Sequence, residues 1–83
     1  MATLEIDRRI RRLLVLHLDV AAEELTAQSR LSDDLGVDSL TAVELLMILE
    51  DEFDISLPED EMGDLTTFGD LVTAVTGEVV SRA

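Results

Sequence analysis

Asp38-Ser39-Leu40-Thr41-Ala42-Val43-Glu44-Leu45-Leu46-Met47-Ile48-Leu49-Glu50-Asp51-Glu52-Phe53 carries a single period from end to end. Ala42, Leu45, Leu46, Leu49 and Phe53 recur at i, i+3, i+4, i+7 and i+11, which is one stripe of an α-helix running from about Leu40 to Phe53. At about 100° per residue, Leu40, Glu44, Met47 and Asp51 fall on the opposite side, with Val43 and Glu50 nearer the flank. A face meant only for water has little use for Leu40 and Met47. A docking face uses both kinds of side chain, acids for the approach and apolar groups for the final fit.

Upstream, either Asp38 or Ser39 is suited to cap this helix. From Asp19 to Asp38 the helical period breaks. Ser29, Ser32, Asp33, Asp34 and Gly36 suit a long ordered loop, with Leu31, Leu35 and Val37 placed to pin it to the core; loops of this length inside compact domains are often functional. Before the loop, Ile6, Ile10, Leu13 and His17 recur at helical spacing, flanked by Leu14 and Leu16. They predict a first helix over about residues 4–17, with Thr3 as N-cap. Downstream, Asp54-Ile55-Ser56-Leu57-Pro58 ends the central helix. Pro58 followed by Glu59, Asp60 and Glu61 suits the first turn of a short third helix, which Gly63 ends. Thr67 and Asp70 resemble a capping box, after which Phe68, Leu71, Val72, Val75 and Val79 predict a last helix over about residues 68–81. Gly77 inside it costs up to about 1 kcal/mol relative to Ala. No alternating strand pattern, repeat or Gly/Ser linker is present. The expectation is one all-α domain over residues 1–83, three main helices plus the short third one.

Composition bounds what such a domain does. A chain of 83 residues buries only about 60% of the surface it exposes when unfolded. With no Cys and one His, helix packing alone must hold it. The absence of Cys fits a reducing compartment, and a cytoplasmic monomer is expected. No apolar run approaches the roughly 20 residues of a membrane span. The segment Met1 to Arg12 carries four Arg without a small-residue cleavage site after it, and reads as a mature N-terminus. The net charge of −13 is unevenly placed: residues 1–30 hold five acids and five Arg, whereas residues 31–83 hold fourteen acids and one Arg. Nucleic acid is thereby excluded as a partner, since phosphate neutralisation needs Lys and Arg. Partners with basic patches are favoured, reached by electrostatic steering.

Ser39 stands where the loop becomes the acidic helix, and nothing near it in sequence activates it. A hydrolase nucleophile needs a base within hydrogen-bond reach and an oxyanion hole. The nucleophile elbow needs Gly two residues on either side, and those positions hold Val37 and Thr41. His17 falls on the core side of the first helix, near its end, where a structural role as a C-terminal cation suits it. The acids at 50–54 and 59–61 lack the alternation and central Gly of a calcium loop, so no metal site is expected. A hydroxyl without machinery is suited either to cap the helix or to serve as a place where another enzyme attaches something.

The run Asp34-Leu35-Gly36-Val37-Asp38-Ser39-Leu40, then Val43-Glu44-Leu45, Glu50-Asp51-Glu52-Phe53, Leu57-Pro58 and Thr66-Thr67 resembles the acyl carrier proteins over most of the chain. The resemblance implies a small four-helix bundle in which Ser39 carries 4′-phosphopantetheine. A separate phosphopantetheinyl transferase supplies the group from coenzyme A, and its terminal thiol holds acyl groups as thioesters. The chain itself is then a non-catalytic carrier. By the same resemblance, Asp38 supports recognition by the transferase. Leu40, Glu44, Met47, Glu50 and Asp51 form the partner-recognition helix for acyltransferases, ketosynthases or other acyl-handling enzymes, and Leu45, Leu46 and Phe53 line the interior. Thr41 stands where fatty-acid carriers commonly have Asp, and Arg8, Arg9, Arg11 and Arg12 make the first helix unusually basic. These departures point to a dedicated carrier in polyketide or related biosynthesis as readily as to a fatty-acid carrier. Val37 replaces the second Gly usual in peptidyl carriers, which disfavours an aminoacyl cargo. An unmodified acidic interaction module is the remaining alternative.

Overall fold

The computed structural model describes residues 3–57 and 65–82. Helix α1 spans Thr3–Leu18, α2 spans Ser39–Phe53 and α3 spans Phe68–Arg82. A 3-10 turn at Ala22–Glu24 interrupts the connection between α1 and α2. Among the described residues there is no strand, only an isolated bridge between Arg30 and Thr67. The short helix predicted over residues 58–61, and the Gly63 that ends it, lie outside the described residues.

One apolar core holds these elements together. Ile6, Ile10 and Leu14 of α1, Leu45, Leu46 and Leu49 of α2, and Phe68, Leu71, Val72 and Val75 of α3 all contribute to it. Each fully buried aliphatic side chain stabilises the fold by about 1.5–3 kcal/mol. The core stripe of α1 differs from its sequence reading. Leu14 is fully buried and Leu13 is only partly so, because the buried row runs Ile6, Ile10, Leu14 in steps of four. His17, the next expected member, is exposed in the last turn. Leu13 to Leu16 are four apolar residues in a row, so the sequence leaves open which of Leu13 and Leu14 faces the core, and the packing of α1 along α3 selects Leu14. Thr3 already lies within α1 and so is not its cap.

The helix ends follow local chemistry. Asp54 adopts the left-handed conformation (φ 52°, ψ 51°) and its N–H donates to the Glu50 carbonyl. The Ile55 N–H donates to the same carbonyl at 3.1 Å, closing the last turn of α2. At the start of α3, the Thr67 hydroxyl accepts from the Asp70 N–H at 3.1 Å. The Asp70 carboxylate accepts in return from the N–H groups of Thr66 and Thr67, each at 3.1 Å. This is the predicted capping box, with Asp in the usual Glu position.

The loop over residues 19–38 is ordered by burial and by hydrogen bonds. Leu25, Leu31, Leu35 and Val37 are buried, which anchors it to the core. Ser29 is the buried polar exception. Its hydroxyl donates to the Glu24 carbonyl and accepts from the Thr26 N–H, both at 2.9 Å. The loop is then stitched to α3 through its backbone. The Leu31 N–H donates to the Thr66 carbonyl, the Phe68 N–H to the Ser29 carbonyl and the Gly69 N–H to the Ala27 carbonyl, at 2.8–3.0 Å. A Cβ on Gly69 would lie 2.9 Å from the Ala27 carbonyl oxygen, so only Gly permits this approach.

Candidate functional site

Residues 30–38 deliver the chain to α2 in a fixed direction. The Asp34 carboxylate accepts from the Arg30 N–H at 2.7 Å, and the Asp34 and Leu35 N–H groups donate to the Arg30 carbonyl at 3.0 and 3.1 Å. Gly36 takes φ +71°, the left-handed region that side chains other than Gly avoid. The Val37 N–H then donates back to the Leu31 carbonyl at 2.8 Å, closing the turn. Burial of Leu31, Leu35 and Val37 leaves Asp38 and Ser39 outside.

Asp38, rather than Ser39, caps α2. Its backbone is extended, its carboxylate accepts from the Thr41 N–H at 2.8 Å, and its carbonyl accepts from the Ala42 N–H. The Thr41 backbone N–H is the main cause holding the Asp38 carboxyl below the usual carboxylate range, with the Thr41 hydroxyl second. Asp38 therefore stays ionised well into the acid range. Ser39 is the first helical residue. Its hydroxyl is exposed and, among the described residues, makes no hydrogen bond.

Beside Ser39 opens a cleft of about 520 Å³. Leu31, Val37, Ala42, Val43 and Leu65 supply apolar walls, and Arg30, Ser32, Asp33, Asp38 and Thr66 supply polar ones. The donor set fits a phosphopantetheine group. A free hydroxyl stands at a helix N-terminus, whose dipole favours a phosphate. The adjoining cleft has apolar walls for an arm that is part methyl and part amide. Among the described residues no nucleophilic constellation surrounds Ser39, since His17 lies in the last turn of α1 and lines no part of the cleft.

The outer face of α2 is assembled largely as its period predicts. Leu40 and Met47 are 68% and 64% exposed, and Glu44 and Asp51 are exposed beside them. Glu50 is different. It is half-buried, and its carboxylate accepts from the Leu57 N–H at 2.9 Å, so it fastens the segment after α2. Val43, placed on the flank by the period, is 41% exposed and lines the cleft next to Ser39.

Four residues of this region carry no signal of their role in the local sequence. Leu65 and Thr66 reach the cleft from a distant part of the chain, through the backbone pairing of Leu31 with Thr66. Among the described residues Arg30 is the one cation in the wall of the cleft, where it pairs with Asp33 at 3.3 Å. Ser29 orients the whole loop from inside, and a serine in a polar run gives no hint of burial.

A family described as a phosphopantetheine attachment site matches residues 8–75 of the chain. The acyl carrier protein of Caulobacter vibrioides is 43% identical over 72 residues, which cover 87% of this chain and 92% of that protein. The acyl carrier protein of Phenylobacterium zucineum is 45% identical over 64 residues, covering 77% of this chain and 81% of that protein. Among solved structures, the acyl carrier protein from Enterococcus faecalis superposes with a TM-score of 0.80 at 27% identity, covering 94% of this chain and 99% of that one.

Proposed function

The chain belongs to the acyl carrier protein family, with that family's phosphopantetheine attachment domain, and from this premise we propose that Ser39 is the residue that carries the 4′-phosphopantetheine group. The observation that carries the assignment is the Ser39 hydroxyl itself, exposed, without a hydrogen-bond partner among the described residues and set at the first position of α2 beside an apolar-walled cleft. When bound, the group supplies a flexible arm and a thiol that holds acyl cargo as a thioester.

Loading requires that the Ser39 oxygen form a bond to phosphorus. Its proton passes to a base on a separate phosphopantetheinyl transferase, and the nucleotide portion of coenzyme A leaves. Ser39 meets this need by exposure and by position, since the short side chain holds its oxygen outward at a fixed helix end. Asp38 supports the site by fixing that end through its cap on Thr41. Its ionised carboxylate also offers a recognition charge next to the hydroxyl.

Leu40, Glu44, Met47 and Asp51 are the docking face for the transferase and for acyltransferases, ketosynthases or other acyl-handling enzymes with basic patches. Glu50 takes a smaller share in docking, because its carboxylate is engaged by Leu57. The cargo is an acyl intermediate of fatty-acid, polyketide or related biosynthesis, handled in the cytoplasm. No helix among the described residues is long and apolar enough to cross a membrane.

The test is a comparison of Ser39→Ala with the unaltered chain, each incubated with a broad-specificity transferase and coenzyme A. The unaltered chain gains the mass of one phosphopantetheinyl group and Ser39→Ala gains none, with the two thermal midpoints nearly equal. A Ser39→Ala chain that still loads would sink the assignment.

A further inference from the structure

The arginines at 8, 9, 11 and 12 set α1 apart from the acidic remainder of the chain, and the structure divides them two and two. Arg9 lies 3.7 Å from the Glu52 carboxylate and 5.8 Å from the centre of the Phe53 ring, joining α1 to the end of α2. Arg11 pairs with Asp7 at 3.2 Å, donates to the Leu25 carbonyl and lies 4.9 Å from the centre of the Phe68 ring. Both are committed to the fold. Arg8 and Arg12 are exposed, and among the described residues neither makes an ion pair or a hydrogen bond. They stand one helical turn apart on the half of α1 opposite Ile6, Ile10 and Leu14. With Arg11 they wall a groove of about 360 Å³ whose other lining residues are Val15 and Ala22. Leu4 and Leu16, 63% and 73% exposed, lie on the same outward half.

We propose that this outward face of α1 is a second docking surface, and that its occupant is an acidic segment of a partner protein. Two of the partner's carboxylates pair with Arg8 and Arg12, and an apolar side chain between them covers Val15 and Ala22. Guanidinium forks one turn apart match carboxylates one turn apart, in the bidentate geometry that Arg favours. The apolar lining and the exposed Leu4 and Leu16 give such a segment contact that a small inorganic anion cannot use. The net charge of −13 bears on the other occupants. The domain measures only 32 × 25 × 19 Å, so a bilayer or nucleic acid spreading beyond the groove comes within a Debye length, about 8–10 Å, of the acidic surface. A second copy brings its own excess of acid. A single acidic segment stays within the groove. Neither Ser39 nor any residue of α2 lines this groove, so it shares no residue with the attachment site or the outer face of α2.

The test is an amide chemical-shift titration of the isotope-labelled full chain with a synthetic helical peptide bearing two Glu one turn apart around a Leu. The shifts expected are confined to residues 4–16 and Ala22. Binding weakens by about tenfold in the Arg8→Gln/Arg12→Gln double variant, and similarly for a peptide with Gln in place of Glu. The thermal midpoint of the double variant stays where it was. No shifts at millimolar peptide, shifts centred on α2, or equal binding by either control overturns the proposal. So does equal or stronger perturbation of the same face by inorganic phosphate or by phosphatidylglycerol vesicles. Concentration-dependent self-association that maps to this face without peptide overturns it as well, since the occupant is then a second copy.

Discussion

At the scale of single residues, Asp38 and Ser39 divide two tasks that one residue often combines. Asp38 satisfies the helix end, which leaves the Ser39 hydroxyl with no structural duty. Replacing Ser39 is therefore expected to leave stability nearly unchanged, whereas Asp38→Ala lowers the thermal midpoint by removing the cap. The pH dependence follows from the sign of the shifts. Asp38 and Asp70 are both held below the ordinary carboxylate value, chiefly by the backbone N–H groups of Thr41 and Thr67 respectively. Their stabilisation is fully present above the unfolded Asp value of about 3.9 and is lost as pH falls through the lowered folded values. Thermal midpoints recorded from neutral to strongly acidic pH should fall through that window, and less steeply in Asp38→Asn/Asp70→Asn. An unchanged slope in the double variant contradicts the assignment of these two carboxylates. The glycines separate in the same way. Gly36→Ala meets no neighbouring atom and costs only the left-handed backbone, about 1–2 kcal/mol. Gly69→Ala collides with the Ala27 carbonyl and costs about 1–3 kcal/mol while loosening the loop. Gly77→Ala, in open space within α3, gains up to about 1 kcal/mol. Denaturant midpoints of the three variants check both the order and the change of sign.

At the scale of elements, the arginines of α1 differ in what they hold. Arg11 ties the helix to the loop and to α3 through a charged hydrogen bond and a ring contact, so Arg11→Ala is expected to cost about 2 kcal/mol. Arg8→Ala, on the open face, stays within about 0.5 kcal/mol. Equal losses measured by urea unfolding contradict that division. How far such distinctions can be seen in a sequence depends on the element. The α2 stripe is legible although Leu45 to Leu49 are all apolar, because Ala42 and Phe53 outside that run share the phase of Leu45, Leu46 and Leu49, and Glu44 and Asp51 mark the opposite side. The capping box at Thr67 and Asp70 is legible because both partners lie within one turn. The phase of α1 is not, since Leu13, Leu14, Val15 and Leu16 allow several, and only contact with α3 selects Leu14 over Leu13. His17 falls within the same stripe by the helical period and is exposed because it sits in the last turn of α1, where the helix runs out to solvent. The walls of the cleft at Leu65 and Thr66, and the inward turn of Ser29, arise from backbone pairing across the fold, which no local pattern encodes.

For the whole molecule, the central consequence is a carrier with its charge sorted by face. The outer side of α2 presents Glu44 and Asp51 alternating with Leu40 and Met47, while α1 keeps Arg8 and Arg12 outward. Steering by the acidic face predicts that Glu44→Lys/Asp51→Lys slows transferase loading several-fold at low salt. That difference should shrink at ionic strengths where the Debye length falls to about 3 Å. Equal ratios at all salt concentrations count against steering. The reading of the chain as a tether for acyl cargo rests on Ser39, and site-resolved mass spectrometry addresses it most directly. After loading with an active transferase and coenzyme A, fragmentation of the intact chain should place a single phosphopantetheinyl group on Ser39. A group found on Ser32, Thr41 or any other hydroxyl, or a chain whose mass is unchanged while a control carrier loads, contradicts the account.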